Sequence, residues 1–303
     1  MKISVVVTVL NEAETIRLLL FGLLFQTHQP QEIIIVDAGS SDGTVQLIKV
    51  YQKKHPHFPL KVFTKKGNRS VGRNYAIQQA KFEWIAITDA GCIPHDDWLE
   101  KLVKSALLNQ ADVVAGFYGS SPRNAFETAV APYMLVMPDK VDENNFLPAT
   151  RSMLLKKQAW KKVGGFNESL ILSEDYDFAH RLKKAKFKFA FAKDALVAWW
   201  PIGSLKSFYQ TTKGMAQFDA QAGLIRTKVY LVFARYLIFL LLLFQPGLAA
   251  VGALIYLWWS VWKNFQYLNH GWYYLPLLQV VSDLGVMTGS IRGIISPYVK
   301  RST

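Results

Sequence analysis

The chain has 303 residues, of which 35 are Lys or Arg and 22 are Asp or Glu, giving a formal net charge of +13. Its sole cysteine, Cys92, excludes an intrachain disulfide and is typical of a reducing compartment. The positive charge is densest after residue 225, where the chain is also most apolar, and no basic run is interleaved with aromatic residues. This pattern favours a membrane surface as partner and excludes a nucleic acid.

The first half of the chain alternates apolar runs with amphipathic segments. Strands are predicted at 3–9, 32–36, 60–64, 84–88 and 112–117, and helices at 13–25, from 42, at 70–80 and from 96. A βαβα order of this kind predicts an α/β domain with a mostly parallel sheet and helices on both faces. Polar Asn11-Glu12 ends the first apolar run too early for a signal peptide, so this domain is expected in the cytosol.

The pattern after residue 120 is less regular. Residues 122–145 resemble a long connection that could cover a site, and Ser173 is placed to cap a helix over 174–184. Further strands are predicted at 149–155, 187–192 and 195–200, with a short helix at 156–163. The sequence therefore predicts a first domain over residues 1–200.

Three acidic residues lie where chemistry is expected. Asp37 ends the apolar run Ile33–Val36, and Asp89 follows the predicted strand at 84–88. Because parallel strands end at one edge of a sheet, both carboxylates are expected at the edge where open α/β sheets bind ligands. Asp175 lies at a predicted helix start, where it is either part of a capping cluster or a general base. The turn after Asp37 lacks the G-x-G-x-x-G spacing of dinucleotide-binding proteins, which argues against a nicotinamide oxidoreductase.

Five motifs carry a resemblance to a known enzyme family. They are Val5-Val6-Val7-Thr8-Val9-Leu10-Asn11-Glu12-Ala13-Glu14, Asp37 to Thr44, Gly67-Asn68-Arg69-Ser70-Val71-Gly72-Arg73-Asn74, Thr88-Asp89-Ala90-Gly91, and Gly164-Gly165-Phe166-Asn167-Glu168 followed by Ser173-Glu174-Asp175. In this order, over roughly residues 3–225, they resemble family 2 of the inverting nucleotide-sugar glycosyltransferases. The resemblance implies the Rossmann-like, A-type glycosyltransferase (GT-A) fold.

The resemblance also implies a role for each matched residue. The nucleotide-binding residues would be Thr8, Glu12, Asp37, Arg73 and Asp89, with Arg73 near the diphosphate and Asp89 on the ribose and a metal ion. Asp175 would be the catalytic base, and Glu174 and Arg151 would lie on the acceptor side.

Two departures from the family pattern change what is expected. Gly91 stands where the family has the second Asp of its Asp-x-Asp motif, so Mg²⁺ or Mn²⁺ would depend on Asp89, phosphates, water and a group such as Asp96 or His95. Gln210-Thr211-Thr212-Lys213-Gly214 lacks the Arg and Trp of the Gln-x-x-Arg-Trp motif of processive members. This departure argues against a polymerase of the cellulose-synthase type.

The tail is strongly apolar. Residues 201–228 are predicted as an amphipathic interfacial linker, with Leu205, Phe208 and neighbouring residues facing a bilayer, and 229–303 as membrane-associated helices. Within them, 229–262 form a hairpin of two arms, each about 15 residues and so about 23 Å long, short of a bilayer core about 30 Å thick. The hairpin either crosses a thinned bilayer or enters one leaflet, and 272–291 form an interfacial or third helix. A buried helical subdomain is the remaining alternative.

These observations predict a glycosyltransferase of the hexosyl-transferring type attached to the cell membrane, with its catalytic domain in the cytosol. It would transfer a sugar from a nucleoside diphosphate, UDP in the first instance, to a lipid-linked or membrane-proximal hydroxyl. Two alternatives stay open. One is transfer to a polyprenyl phosphate, which needs no strong base; the other is a non-catalytic nucleotide-sugar-binding scaffold, which Gly91 would explain.

Overall fold

The computed structural model describes residues 1–143 and 145–296. The eight strands are β1 Ile3–Val9, β2 Glu32–Asp37, β3 Leu60–Thr64, β4 Trp84–Ile87, β5 Cys92–Pro94, β6 Val113–Ser120, β7 Met153–Lys156 and β8 Phe189–Trp199. The α-helices of the described ranges are α1 Ile16–Leu24, α2 Thr44–Lys54, α3 Arg69–Gln79, α4 Trp98–Leu108, α5 Ala125–Met134, α6 Lys157–Lys162, α7 Glu174–Lys184, α8 Leu205–Gln221, α9 Thr227–Leu242, α10 Pro246–Phe265 and α11 Leu275–Ile295.

The chain divides into two compact units. The first contains Met1–Gly119 and Pro138–Trp199, and the second contains Ser120–Met137 and everything from Trp200 onward. The sequence places a boundary at residue 200, and it assigns 120–137 to the first domain, whereas these residues pack with the second unit. The last seven residues of the predicted membrane-associated segment lie outside the part of the chain that the structure describes.

The first unit is built on one sheet with the order β3-β2-β1-β4-β7-β6-β8-β5. Strands β3, β2, β1 and β4 are mutually parallel, as predicted. The prediction of a mostly parallel sheet is wrong for the other half, because β7 runs antiparallel to β4 and β6, and β5 antiparallel to β8. An apolar run shows that a strand is buried but carries no information on its direction. The sheet is therefore mixed.

One face of this sheet forms a large apolar core with α3, α6 and α7. Val6, Ile34 and Ile85 point from the parallel strands to this side, and Phe166 and Phe178 cover them. The rings of Phe166 and Phe178 are stacked, with their centroids 4.1 Å apart. This packing fixes α3 and the start of α7 over the carboxyl ends of β1, β2 and β4.

In the second unit, α8 and α11 pack against each other at very short range. A Cβ atom placed on Gly289 would lie 2.1 Å from the carbonyl oxygen of Lys213, and one on Gly293 would lie 2.4 Å from that of Gln217. Glycine at these positions of α11 lets its backbone approach the backbone of α8. Phe208, predicted to face a bilayer, is instead fully buried in the apolar core of this unit.

Two further sequence expectations concern the second unit. The segment predicted as an irregular connection contains α5, whose N-cap residue Asn124 accepts a hydrogen bond from the Glu127 amide at 2.9 Å. The predicted hairpin consists of α9 and α10, with residues 243–245 between them. None of the helices within residues 1–143 and 145–296 combines the length and the apolar character that crossing a membrane requires.

Candidate active site

The loops that follow β1 and β2 are tied to each other by hydrogen bonds. The Asn11 amide donates to Ser40 Oγ at 2.8 Å, and the Ser41 amide donates to Asn11 Oδ1 at 2.9 Å. The Ala13 amide donates to Asp42 Oδ2 at 2.9 Å, and the Glu12 amide donates to Thr44 Oγ1 at 2.8 Å. The two loops at the carboxyl edge of the sheet therefore form one rigid piece.

Asp37 organises the second of these loops. Its carboxylate accepts hydrogen bonds from the amide of Gly39 at 2.9 Å and from that of Ser40 at 3.1 Å, and its side chain is buried. Gly39 has φ +109°, a conformation that favours glycine. In this structure the carboxylate holds the turn in shape, and its predicted contact with a nucleobase stays a prediction.

Arg73 is the centre of the site. Its guanidinium donates from Nη1 to Glu174 Oε1 at 2.5 Å and from Nη2 to Asp89 Oδ1 at 2.8 Å. The side chains of Arg73 and Glu174 are 1% and 5% exposed, whereas that of Asp89 is 27% exposed. One buried cation thus joins two carboxylates that are 85 positions apart in the sequence, and one of the two reaches solvent.

The position of Arg73 follows from how α3 is held. Gly72 lies so close to β1 that a Cβ atom there would be 2.8 Å from Thr8 Cγ2. On the other side, Asn74 donates to the Phe166 carbonyl at 2.9 Å and accepts from the Phe166 amide at 2.8 Å. The Gly164-Gly165-Phe166 motif is thereby explained, since Gly165 has φ +73° and a Cβ there would be 2.7 Å from Asn74 Oδ1.

Asp175 follows Glu174 in the first turn of α7, but it is only partly buried. Burial raises the pKa of its carboxyl and the adjacent Glu174 raises it further, while the charges of Arg151 and Arg73 oppose these effects. A carboxylate with a raised pKa accepts a proton more readily, which is the property a general base requires. The acidic cluster therefore contains two different residues, a buried partner of Arg73 and a more accessible candidate base.

The pKa of Asp89 is shifted in the opposite direction from that of Asp175. Although burial disfavours its ionised form, Arg73, Arg69 and Arg151 hold the pKa of its carboxyl below the usual value. The Arg151 guanidinium lies 4.6 Å from the ring centre of Trp199 and 5.1 Å from that of Tyr118. Since Arg73 is shared with Glu174, the guanidinium groups left to face a diphosphate are those of Arg69 and Arg151.

Glu12 belongs to the same electrostatic neighbourhood. Burial raises the pKa of its carboxyl, and the hydrogen bond from Thr15 and the charge of Arg69 oppose this rise, while Asp89 adds to it. Thr15 Oγ1 donates to Glu12 Oε2 at 2.6 Å. Cys92, in contrast, is buried, and burial raises the pKa of its thiol to about 12, so it stays protonated.

The residues of the site offer a divalent cation little protein coordination. Within the described ranges no three His, Cys, Asp or Glu side chains are grouped as metal ligands. Of the two positions that match the Asp-x-Asp motif, Asp89 presents a partly exposed carboxylate and Gly91 adds none. This arrangement fits an ion of the Mg²⁺ type, which is bound through one or two carboxylates with substrate phosphates and water.

The structure brings most of the predicted site residues to one edge of the sheet. Arg73, Asp89 and Glu174 are in direct contact, and Asp175 and Arg151 are close enough to Asp89 for their charges to interact. Thr8 and Glu12 adjoin this group from β1 and its loop. Sequence reasoning assigned Glu174 to the acceptor side, whereas its carboxylate is buried on Arg73; it missed Asn11 and Arg69, although both lie inside motifs that it quoted.

A mixed sheet with a basic and acidic cluster at the carboxyl edge of its parallel strands is typical of α/β enzymes, which bind their ligands at that edge. The family model described as "Glycosyl transferase family 2" matches residues 4–163, and the chain belongs to this family. It is accordingly a glycosyltransferase.

Relatives with glycosyltransferase names agree with this assignment, and solved structures share the fold. Glycosyltransferase AglE of Haloferax volcanii is 26% identical over 71% of this chain and 73% of its own length. Mannosyltransferase PcManGT of Pyrobaculum calidifontis, solved with GDP-Man and Mn²⁺, superposes with a TM-score of 0.70 at 17% identity, over 94% of this chain and 87% of that one. S. aureus TarS 1-349 with UDP-GlcNAc has a TM-score of 0.51 at 20% identity, over 71% and 66%. The chain spans only 32%, 41% and 38% of three further relatives.

Proposed function

We propose that this chain is an inverting glycosyltransferase that moves a sugar from a UDP-sugar to a hydroxyl of a lipid-linked or membrane-proximal acceptor. One observation carries the proposal: Asp89 and Asp175 have opposite pKa shifts and are linked through Arg73 and Glu174 at the ligand-binding edge of the sheet. The solved relatives that hold UDP-GlcNAc and GDP-Man support a nucleotide-sugar donor.

Asp175, Arg151 and Arg69 have separate roles in the proposed reaction. The Asp175 carboxylate takes the proton of the acceptor hydroxyl, and that oxygen bonds to the anomeric carbon as the bond to the diphosphate oxygen breaks. Attack from the face opposite the leaving group inverts the configuration. The family resemblance implies the acceptor side for Arg151, but its charge acts on Asp89, so we assign it, with Arg69, to the diphosphate. Both supply positive charge where the diphosphate gains negative charge, and such electrostatic stabilisation is usually the largest contribution to catalysis. A Mg²⁺ or Mn²⁺ ion held by Asp89 and the diphosphate would supply further positive charge there.

The acceptor and location rest on the second unit. Leu243, Phe244 and Leu248 are exposed at the tip of the α9–α10 hairpin, Phe244 by 83%. Exposed apolar patches of this kind mark interaction surfaces, and the basic residues Arg226, Lys228 and Lys263 lie at the base of the hairpin, away from this tip. We propose attachment to the cytosolic face of the cell membrane.

The test measures sugar transfer and donor hydrolysis with UDP- and GDP-sugars, in the presence of Mg²⁺ or Mn²⁺ and after chelation. Asp175→Asn should lower turnover by about 10²- to 10⁴-fold, the usual contribution of a general base, with little change in donor affinity. The matched control is Asp177→Asn on the same helix, because Asp177 pairs with Arg181 at 2.7 Å and has no role in the proposed reaction.

Three outcomes would count against the proposal. Equal turnover rates for Asp175→Asn and Asp177→Asn would show that Asp175 is not a general base, and they would favour a polyprenyl-phosphate acceptor. If neither wild type nor Asp89→Ala turns over any donor, the chain would be a non-catalytic scaffold that binds the nucleotide sugar. Turnover with GDP-sugars alone would replace the UDP part of the proposal.

A further inference from the structure

The second unit contains a cavity that the proposed reaction does not use. It has a volume of about 530 Å³ and lies between α9 and α10, with Val280 of α11 also in its wall. This volume is within the range of small-molecule sites, about 300–1,000 Å³. Ile238, Ile255 and Leu257 line it and are also exposed, so the cavity opens to the surroundings.

The two ends of the cavity differ in chemistry. Toward the hairpin tip its wall is apolar, with Leu242, Gly252 and Ala253. At the other end lie Arg235, Tyr236, Tyr256 and Trp259. From 236 to 262 the sequence contains no Asp, Glu, Lys or Arg, so the charged end is set sharply against an uncharged hairpin.

The charged end has more positive than negative charge. Arg235 donates to Asp283 Oδ2 at 2.5 Å, and Asp283 also accepts from Tyr256 at 2.8 Å and Gln279 at 2.8 Å. Lys263 adds a second cation next to this end. It does not line the cavity, but its Nζ lies 4.8 Å from the ring centre of Trp259, which does, and the Arg235 guanidinium lies 4.9 Å from the same ring. Burial lowers the pKa of Lys263 to about 8, although Asp283 opposes the shift, so an added anion would favour its charged form.

We propose that this cavity binds one anionic phospholipid of the bilayer, with an acyl chain along α9 and α10 toward the hairpin tip and its phosphate beside Arg235 and Lys263. The inference rests on the membrane attachment in the proposed function. An apolar chain would cover surface that otherwise faces water, and the phosphate would balance the excess cation. The lipid would therefore hold the hairpin in a defined position at the membrane.

The experiment uses the full chain, extracted in mild detergent with phosphatidylglycerol and phosphatidylcholine supplied in equal amounts, and measures retained lipid by native mass spectrometry. One phosphatidylglycerol per chain is expected, preferred over phosphatidylcholine about fivefold, as expected for one cation acting on an anionic lipid. Ala253→Phe and Gly252→Leu, which fill the cavity, should lose it. Ala250→Phe makes the same kind of change at an exposed position that does not line the cavity, and it should retain the lipid.

A single-charge variant tests the headgroup contact. Lys263→Gln removes the excess positive charge at the charged end of the cavity and keeps the ion pair of Arg235 and Asp283. It should bind both lipids equally, whereas wild type prefers the anionic one. Lys104→Gln lowers the net charge of the chain by the same amount at an exposed position of the first unit, and it should keep the preference. Preference lost in Lys263→Gln alone would therefore come from the cavity and not from general attraction of the chain to anionic membranes.

Specific results would overturn the inference. Equal retention by Ala253→Phe and Ala250→Phe, or no lipid preference in wild type, would remove the site. If the cavity variants change the oligomeric state in light scattering and leave retained lipid unchanged, the groove is an interface between copies of the chain. Donor hydrolysis, measured alongside, separates the two proposals: lipid retained without turnover contradicts the proposed function alone, and turnover without lipid contradicts this inference alone.

Discussion

Removing the charge of Glu174 tests whether this residue is the buried anchor of Arg73. Both side chains are almost fully buried, and their contact measures 2.5 Å. Deleting one partner of a buried ion pair costs about 3–5 kcal/mol because the other charge stays buried. Arg73 keeps Asp89 as a second partner, so Glu174→Ala should lose about 3 kcal/mol, at the lower end of that range.

Glu174→Gln should have a smaller effect, because its amide oxygen can still accept from Arg73. The change replaces a charge-assisted hydrogen bond with a neutral one, a loss of about 1–1.5 kcal/mol. The first unit has about 180 residues, a size at which each kcal/mol shifts Tm by about 2–4 °C. Glu174→Ala should therefore lower Tm by about 6–12 °C, and Glu174→Gln by about 2–6 °C.

The assay is thermal unfolding followed by circular dichroism at neutral pH. Glu143→Gln is the matched control, since Glu143 pairs with Lys193 at 3.4 Å and both side chains are exposed. Exposed pairs contribute about 0–1 kcal/mol, so this control should leave Tm nearly unchanged. If both Glu174 variants have the same Tm as the Glu143 control, the ion pair of Arg73 and Glu174 does not stabilise the first unit.

Three other substitutions test two further carboxylates of the site and the contact between α8 and α11. Asp175→Asn should raise Tm at pH 7 although it slows turnover. Burial and Glu174 raise the pKa of Asp175, so its ionised form destabilises the folded state. The gain in Tm should vanish below about pH 4, where Asp175 is protonated in both the folded and the unfolded state. Asp89→Asn should lower Tm at neutral pH, because the lowered pKa of Asp89 means that its ionised form stabilises the fold. Wild type loses this stabilisation as the pH falls below about 3.9, the pKa of an unfolded Asp, and through the lower pKa of Asp89 in the fold. Thermal unfolding of both proteins across this pH range should show their Tm values becoming equal. Gly289→Val should destabilise the second unit by about 3 kcal/mol or more, because its Cβ would meet the Lys213 carbonyl oxygen at 2.1 Å; limited proteolysis of that unit would detect the loss, and unchanged resistance would contradict it.

The sequence was most informative where local pattern and tertiary environment agree. Strand β1 has the predicted bounds, and β2 extends one residue beyond them. Each contains a buried apolar run, Val5–Val7 in β1 and Ile33–Val36 in β2, close to turn residues, a pattern that is typical of a buried strand. The edge position of Asp37 and Asp89 followed from parallel order alone. Strand direction in the second half did not, because β7 pairs antiparallel on both sides with nothing in Met153–Lys156 to indicate it.

The roles of neighbouring site residues were harder to separate. Glu174 and Asp175 are consecutive acidic residues at a helix start, and only the packed structure shows that one is buried on Arg73 and the other is accessible. Phe208 shows the same difficulty on a larger scale. Its helical spacing predicted an apolar face, but spacing does not identify what covers that face, which proved to be the protein's own core.

The interlocked loops after β1 and β2 have a consequence for redesign of donor choice. Asn11 and Asp42 each serve the neighbouring loop's backbone, so neither loop keeps its conformation when the other is replaced. A chimaera that imports only one of the two segments from a relative would lose both sets of contacts. Grafting must therefore treat residues 10–13 and 37–44 as a single cassette, transplanted together from the same parent.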